Sequence, residues 1–377
     1  MKILIAPDSF KGNLTAMEVA TNIEQGIKKG LPQAKTVKLP MADGGEGTVR
    51  SLVDASGGKI ISHKVTGPLG NKVEAFFGLL QEKKTAVIEM ATASGLPLVP
   101  EAKMDPSRTT TYGTGELIAA ALEYDIEKLI IGIGGSATND AGVGMAQALG
   151  VKFLDSRGKE IGFGGGELKN IETIETSKLD PRLKNIQIEV ACDVDNPLYG
   201  PEGAAHVYAP QKGAGEEMVK ALDKNLRYFA ERVRNQLGID LQSIPGSGAA
   251  GGLGAGLVAF LGAELRSGID IVLEVNKIEE ILSGVDVVIT GEGKMDGQTV
   301  QGKTPIGVAR KAKEFDLPVI AIAGEIGDQV EKVTEHEIDC IFTAVHRAVL
   351  LEEAMEFAPE WLQFSGEQIA RLLGVKM

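Results

Sequence analysis

Clusters of glycine and acid carry the side chains able to bind an anion or move a proton. In APDSFKGNLTA at 6–16, Asp8, Ser9 and Lys11 stand between an apolar run and a capped helix. Ligands of open α/β sheets bind beyond the carboxyl ends of strands, which predicts that these three side chains face a crevice; a solvated turn is the plain alternative. MADGGEGT at 41–48 sets Asp43 and Glu46 among glycines at the start of a helix. Glycine permits positive φ and leaves N–H groups free to form an anion-binding concavity, beside which carboxylates make sense as ligands of Mg²⁺. Helix capping by Asp43 is the alternative.

GIGGSATNDAGVG at 132–144 follows the most apolar run of the chain and opens a helix. Its small residues, Gly134, Gly135, Ser136, Thr138 and Asn139 among them, would let a phosphate approach the backbone. A dinucleotide fingerprint fits less well, because no clean GxGxxG follows the run. In ACDVDNPLYGPEGAA at 191–205, Asp193 and Asp195 are two apart, on one face if extended. Such a pair suits metal binding or general-base work on a hydroxyl; a plain turn at Asn196 and Pro197 competes.

TGEGKMDGQTVQGKTP at 290–305 matches GxxxxGK[ST] through Gly297, Gly302, Lys303 and Thr304. Six residues separate Thr290 from Gly297, the stretch already holds Glu292 and Asp296, and Thr304 with Pro305 reads as N-cap and first helical residue. This predicts a phosphate-facing loop of another kind. PGSGAAGGLGAGLVAFLGAEL at 245–265 reads equally as a close-packed helix or a place of ligand approach, and the four histidines share no spacing.

Six apolar runs bounded by glycine or polar residues predict parallel strands: KILIA at 2–6, AVIEMA at 86–91, KLIIGIG at 128–134, DVVITG at 286–291, VIAIAG at 319–324 and CIFTAV at 340–345. Together they predict one doubly wound sheet. Thr15 and Glu18 have capping-box spacing, Val19, Ala20, Ile23 and Ile27 share a helix face, and Gly30 is expected beyond its end. A second helix is predicted near 215–237, ending at Gly238. TGPLG at 66–70 predicts a β-hairpin within 58–85, and EVACDV at 189–194 with AAHVYAP at 204–210 lie around another Gly/Pro turn. The expected division is a discontinuous sheet domain (1–57, 86–150 and 251–377) and an inserted α/β domain (58–85 and 151–250), with a ligand in the cleft between them.

A chain of 377 residues with 43% hydrophobic residues exceeds one compact domain. A charge of −13, with 39 basic residues in no long run, argues against nucleic-acid or anionic-membrane partners. No window reaches the roughly 18 apolar residues of a membrane span, and MKILIAPDSF lacks a signal pattern, so a cytoplasmic protein is expected. Cys192 and Cys340 offer neither a disulfide framework nor zinc spacing.

Taken together, APDSFKG, MADGGEGT, GGSATNDAG, CDVDNPL, SGAAGGLG and TGEGKMDGQTVQGKTP resemble the motif set of the type I glycerate kinases, in family order from residue 6 to 305. Ala141 departs mildly, where glycine is expected in many relatives. The resemblance implies a flavodoxin-like domain joined to a second α/β domain, and transfer of a phosphoryl group from ATP with Mg²⁺ to D-glycerate, usually at the 2-hydroxyl. The implied roles are Asp193 as base with Asp296 as the other candidate, and Lys11 in catalysis or at the glycerate carboxylate. Asp8, Ser9 and Arg108 go to the substrate, and Asp43, Glu46 and Asp195 to the metal. Gly134, Gly135, Ser136, Thr138, Asn139, Glu292, Gly302, Lys303 and Thr304 go to ATP. A monomer or a homodimer is expected. A P-loop NTPase, a nicotinamide dehydrogenase and a non-catalytic hydroxyacid sensor are the competing readings.

Overall fold

A computed structural model describes residues 1–81, 84–300 and 303–375. In chain order its strands are β1 (Lys2–Pro7), β2 (Lys35–Lys38), β3 (Lys59–Thr66), β4 (Lys72–Leu80), β5 (Thr85–Glu89), β6 (Lys128–Gly132) and β7 (Lys152–Leu154). They continue with β8 (Thr173–Glu175), β9 (Gln187–Ala191), β10 (Glu264–Arg266), β11 (Val287–Met295), β12 (Val319–Ile326) and β13 (Cys340–Thr343). The chain forms two compact units. The first is Met1–Asp43, Arg50–Gly58 and Ile269–Met377, and the second is Gly44–Val49 with Lys59–Gly268.

The first unit is built on a parallel sheet of order β2-β1-β11-β12-β13, the flavodoxin-like order when its strands are counted along the unit. Its central strands are continuous apolar runs because helices cover both faces; Ile3, Leu4, Ile5 and Ala6 are all fully buried. The helix Ala16–Gly30 starts with the predicted capping box: Glu18 N–H donates to Thr15 Oγ1 at 3.2 Å and Thr15 N–H to Glu18 Oε2 at 2.8 Å. Gly30 is its last residue and Leu31 its cap, so the helix runs one residue past the expected end. It packs on the helix Leu351–Leu373 at a distance only glycine allows, since a Cβ at Gly26 would stand 1.9 Å from the Gln363 carbonyl oxygen.

The second unit holds a six-stranded sheet, β10-β9-β6-β5-β4-β3, parallel through β5 and antiparallel in the β3–β4 hairpin that TGPLG predicts. A small β7–β8 ribbon and the helix Glu216–Leu237 enclose a further core around Phe153, Leu226, Phe229 and Phe260. That helix ends as the sequence predicts, with Gly238 in the left-handed region at φ 76°.

The single doubly wound sheet of six runs gives way to two sheets. The runs at 86–91 and 128–134 form β5 and β6, which pair with each other and with β9, so 86–150 and 251–268 belong to the second unit, as does the turn 44–49. Buried parallel strands read alike in either sheet, and pairing partners are not written in the local sequence. Residues Ala204–Tyr208 are helical, their small side chains packing into the second unit's core. Among the described residues no helix is long and apolar enough to cross a membrane.

Candidate active site

In the first unit the chemistry gathers where β1 ends, at Pro7 opposite Gly291 of the longer β11. From this point the chain winds outward to β2 on one side and to β12 and β13 on the other, the switch point at which such sheets open a crevice. Asp8 extends β1 by one hydrogen bond, its N–H donating to Gly291 O at 2.8 Å. Its carboxylate, in a residue only 5% exposed, accepts from Thr304 Oγ1 and from Ser9 N–H, each at 2.6 Å. Burial, and then the charge of Asp43, push its pKa up to about 6.

Glu292, one residue beyond Gly291 on β11 and 8% exposed, accepts from Thr299 Oγ1 at 2.6 Å and faces Lys303 Nζ at 3.8 Å. Burial raises it to about 7; Thr299 and Lys303 pull the other way, and the charges of Asp8 and Asp43 add to the rise. Lys11 Nζ stands 3.8 Å from Asp43 Oδ2. Three carboxylates and two lysines thus share one strand-end cluster, with two of the acids titrating near neutrality, the range suited to general acid–base work.

The loop after β11 differs from its sequence reading. The strand runs on to Met295, so Gly297 follows its end closely and spacing no longer separates the loop from a P-loop. Backbone geometry does, because a P-loop cradles phosphate with free N–H groups. Here the N–H of Asp296 donates to Thr299 Oγ1, that of Gly297 to Asp328 O, that of Gln298 to Asp296 Oδ1 and that of Thr299 to Asp296 O. Asp296 therefore braces its own turn. Lys303, not Thr304, is the helix N-cap residue, and the Thr304 hydroxyl is turned to Asp8. Gly302 lies outside the described residues.

In the second unit, β6 and β9 also end side by side, Gly132 opposite Ala191. The turn 44–49 lies against both: a Cβ on Gly132 would meet Gly44 O at 2.4 Å, and one on Gly44 would meet Ala191 Cβ at 2.5 Å. Val49 N–H donates to Glu89 Oε1 at 2.7 Å and ties the same turn to β5. The motifs GGSATNDAG, ACDVDN and the glycines of MADGGEGT are thereby neighbours, with Glu46, Asp193 and Asp195 exposed. Asp193 Oδ1 accepts from Gly268 N–H at 2.8 Å, at the first residue of the helix Gly268–Val275. Arg108 is exposed on the same unit.

Gly134 and Gly135 are exposed on the loop after β6, whereas Ser136, Thr138 and Asn139 are buried. Two side chains absent from the sequence reading hold this loop. Asp140 accepts from Thr111 N–H at 2.8 Å, Thr111 Oγ1 at 2.9 Å, Gly142 N–H at 3.2 Å and Gly144 N–H at 3.3 Å, while burial raises its pKa. Lys212, only 2% exposed, donates from Nζ to Ser136 Oγ and to Thr138 O, each at 2.7 Å. Burial lowers its pKa to about 7, against the opposing field of Asp140. The segment Ala250–Gly252 runs left-handed against the loop, and a Cβ on Gly251 would stand 1.9 Å from Thr138 O. The glycine-rich stretch at 245–265 is therefore a close-packed support for the loop. Asp140 lies inside the motif GGSATNDAG but was given no role there, whereas Lys212 carried no local signal, sitting in APQKGA, a turn like many others.

Mg²⁺ takes hard oxygen donors, commonly one or two carboxylates completed by water and phosphate. Among the described residues no group of three or more His, Cys, Asp or Glu side chains could hold a metal. The raised pKa values of Asp8 and Glu292 come first from burial, with neighbouring carboxylate charge adding to the rise.

The family model described as "Glycerate kinase family" matches residues 3–374. The chain is 56% identical over 370 residues to "Glycerate kinase" of Bacillus subtilis (strain 168), covering 98% of this chain and 97% of that one. It is 52% identical over 377 residues to "Glycerate 2-kinase" of Escherichia coli (strain K12), covering 100% and 99%. The crystal structure of a putative glycerate kinase 2 from Salmonella typhimurium LT2 matches with a TM-score of 0.92 at 50% identity, over 99% of this chain and 98% of that one. The chain belongs to the glycerate kinase family.

Proposed function

We propose that the chain transfers the γ-phosphoryl group of ATP to the 2-hydroxyl of D-glycerate, in the cytoplasm. The observation that carries the reaction class is the strand-end cluster of Asp8, Asp43 and Glu292 with Lys11 and Lys303, two of whose acids titrate near neutrality. Phosphoryl transfer needs little covalent chemistry from a protein and much charge placement, which this inventory supplies. Glycerate and the 2-position come from the relatives' names.

Lys303 and Thr304 in the first unit, and the exposed backbone of Gly134 and Gly135 in the second, are proposed to face phosphate. Lys11, Ser9 and Arg108 are donors suited to a small carboxylate, Arg108 by a two-pronged contact. Asp193 is proposed to take the proton of the attacking hydroxyl; its bond to Gly268 N–H holds the carboxylate in place. Asp296, whose Oδ1 accepts from Gln298 N–H, is the other candidate. Asp43, Glu46 and Asp195 are separate candidate ligands for Mg²⁺, which when bound neutralises charge on the phosphates.

Initial rates of ADP release test this reading. Release should require D-glycerate and Mg²⁺ together; equal turnover of ATP without glycerate sinks it. A nicotinamide enzyme or a hydroxyacid sensor would show no release under either condition.

A further inference from the structure

Lys212 is a cation nearly excluded from water with no carboxylate within ion-pair distance among the described residues. Burying an ammonium group is costly, and an isosteric apolar side chain would ordinarily serve packing better. It reaches the loop from far along the chain, from the short turn Pro210–Lys212, and grips it at two points, one hydroxyl and one carbonyl, two residues apart. Gly134 and Gly135, just before the gripped Ser136, are exposed. In the same loop Thr138 Oγ1 and both polar atoms of the Asn139 side chain are buried without hydrogen-bond partners. Lys212 is thus one of the side chains that hold the loop from outside it, with Thr109 Oγ1 donating to Ala137 O at 2.8 Å, while Asp140 braces it from within.

We propose that Lys212 is a positioning residue which holds the loop 134–140 in the form that receives the phosphoryl groups of a nucleoside triphosphate, and whose buried charge favours an anion on the loop's exposed backbone. This rests on the reading of that loop as nucleotide-facing. Lys212 does not itself touch the ligand. Its charged form donates to both loop acceptors and keeps a third donor, whereas the neutral amine has two donors and no charge to offer. The charged group that acts on it is Asp140, from the loop it holds. A positioning error on the order of 1 Å can lower rates by about a hundredfold, so a grip at this distance from the chemistry is enough to matter.

Lys212→Met in the full chain is the test, read by titration with a fluorescent ATP analogue, by KM for ATP and for D-glycerate, by kcat, and by melting temperature. The substitution keeps length and removes the charge. ATP-analogue affinity should fall and KM for ATP rise at least about tenfold, with KM for D-glycerate within about twofold and a melting temperature no lower than that of the parent at pH 7. As pH rises past about 7 the parent's kcat/KM for ATP should fall more steeply than the variant's, since Glu292 titrates in both and Lys212 only in the parent. A folded variant with unchanged nucleotide affinity, both KM values within about twofold and a fall as steep as the parent's would overturn the proposal. If KM for D-glycerate rises and that for ATP does not, Lys212 still positions the loop and the nucleotide reading of the loop is what fails. Should Lys212→Met not fold, Ser136→Ala removes one of the two grips; unchanged affinity for the analogue in that variant would equally overturn the proposal.

Discussion

Glu292 and Asp8 couple stability to pH at the scale of single residues. Glu292 has a folded pKa of about 7 against an ordinary 4.5, so between those values the native state binds a proton that the unfolded chain lacks. Stability from this group therefore falls as pH rises through that window, and the full cost is present above about pH 7. Glu292→Gln should melt higher than the parent at pH 8, by the equivalent of about 2 kcal/mol, with the gap closing below pH 4.5. A gap that does not vary with pH contradicts the burial account. Turnover should fall in the same variant, so stability and activity move in opposite directions.

Asp193 allows a sharper separation of roles. Asp193→Ala should lower kcat by about 10²–10⁴-fold with little change in KM, and should lose about 1 kcal/mol with the bond to Gly268 N–H. Asp193→Asn retains an acceptor for that N–H and should keep the stability while losing the rate. Lys303→Ala should instead raise KM for ATP together with a lower kcat. Near-normal kcat in a folded Asp193→Asn would reduce Asp193 to a helix cap and make Asp296 the favoured base. Asp8, Glu292 and Lys303 were legible in the sequence because each follows an apolar run or precedes a helix. Lys212 was not: its partners lie 76 and 74 residues away, and burial of a lysine is decided by packing that no local window contains.

At the scale of elements, hydrogen-bonding chemistry near helix and strand ends was readable and pairing was not. Thr15 with Glu18, Gly238 and the TGPLG hairpin fix their own neighbourhoods through capping and turn geometry, and the structure bears each out. The runs at 86–91 and 128–134 give strands where expected, yet they lie in the second sheet, because period and apolarity specify burial and not partners. Gly26 shows how a single absent side chain sets an interface. In an open helix Gly26→Ala would stabilise by about 1 kcal/mol through propensity. Against the Gln363 carbonyl, 1.9 Å from the would-be Cβ, it should destabilise by about 2 kcal/mol. Thermal melting followed by circular dichroism reads the sign, and a more stable variant would mean that the helices Ala16–Gly30 and Leu351–Leu373 are not held this closely.

For the whole molecule, an acidic chain that binds anionic substrates must create positive potential locally. Lys11 and Lys303 are the cations at the strand-end cluster, each beside a carboxylate there, and Lys212 is a third under the proposal above, against a net charge of −13. The central claim is phosphorylation of D-glycerate at its 2-hydroxyl. It is tested most directly by phosphorus NMR of the product formed from ATP, Mg²⁺ and D-glycerate. The account predicts that 2-phosphoglycerate accumulates in step with ADP. Accumulation of 3-phosphoglycerate would contradict the assigned position, and inorganic phosphate as the sole product beside ADP would contradict the kinase assignment itself.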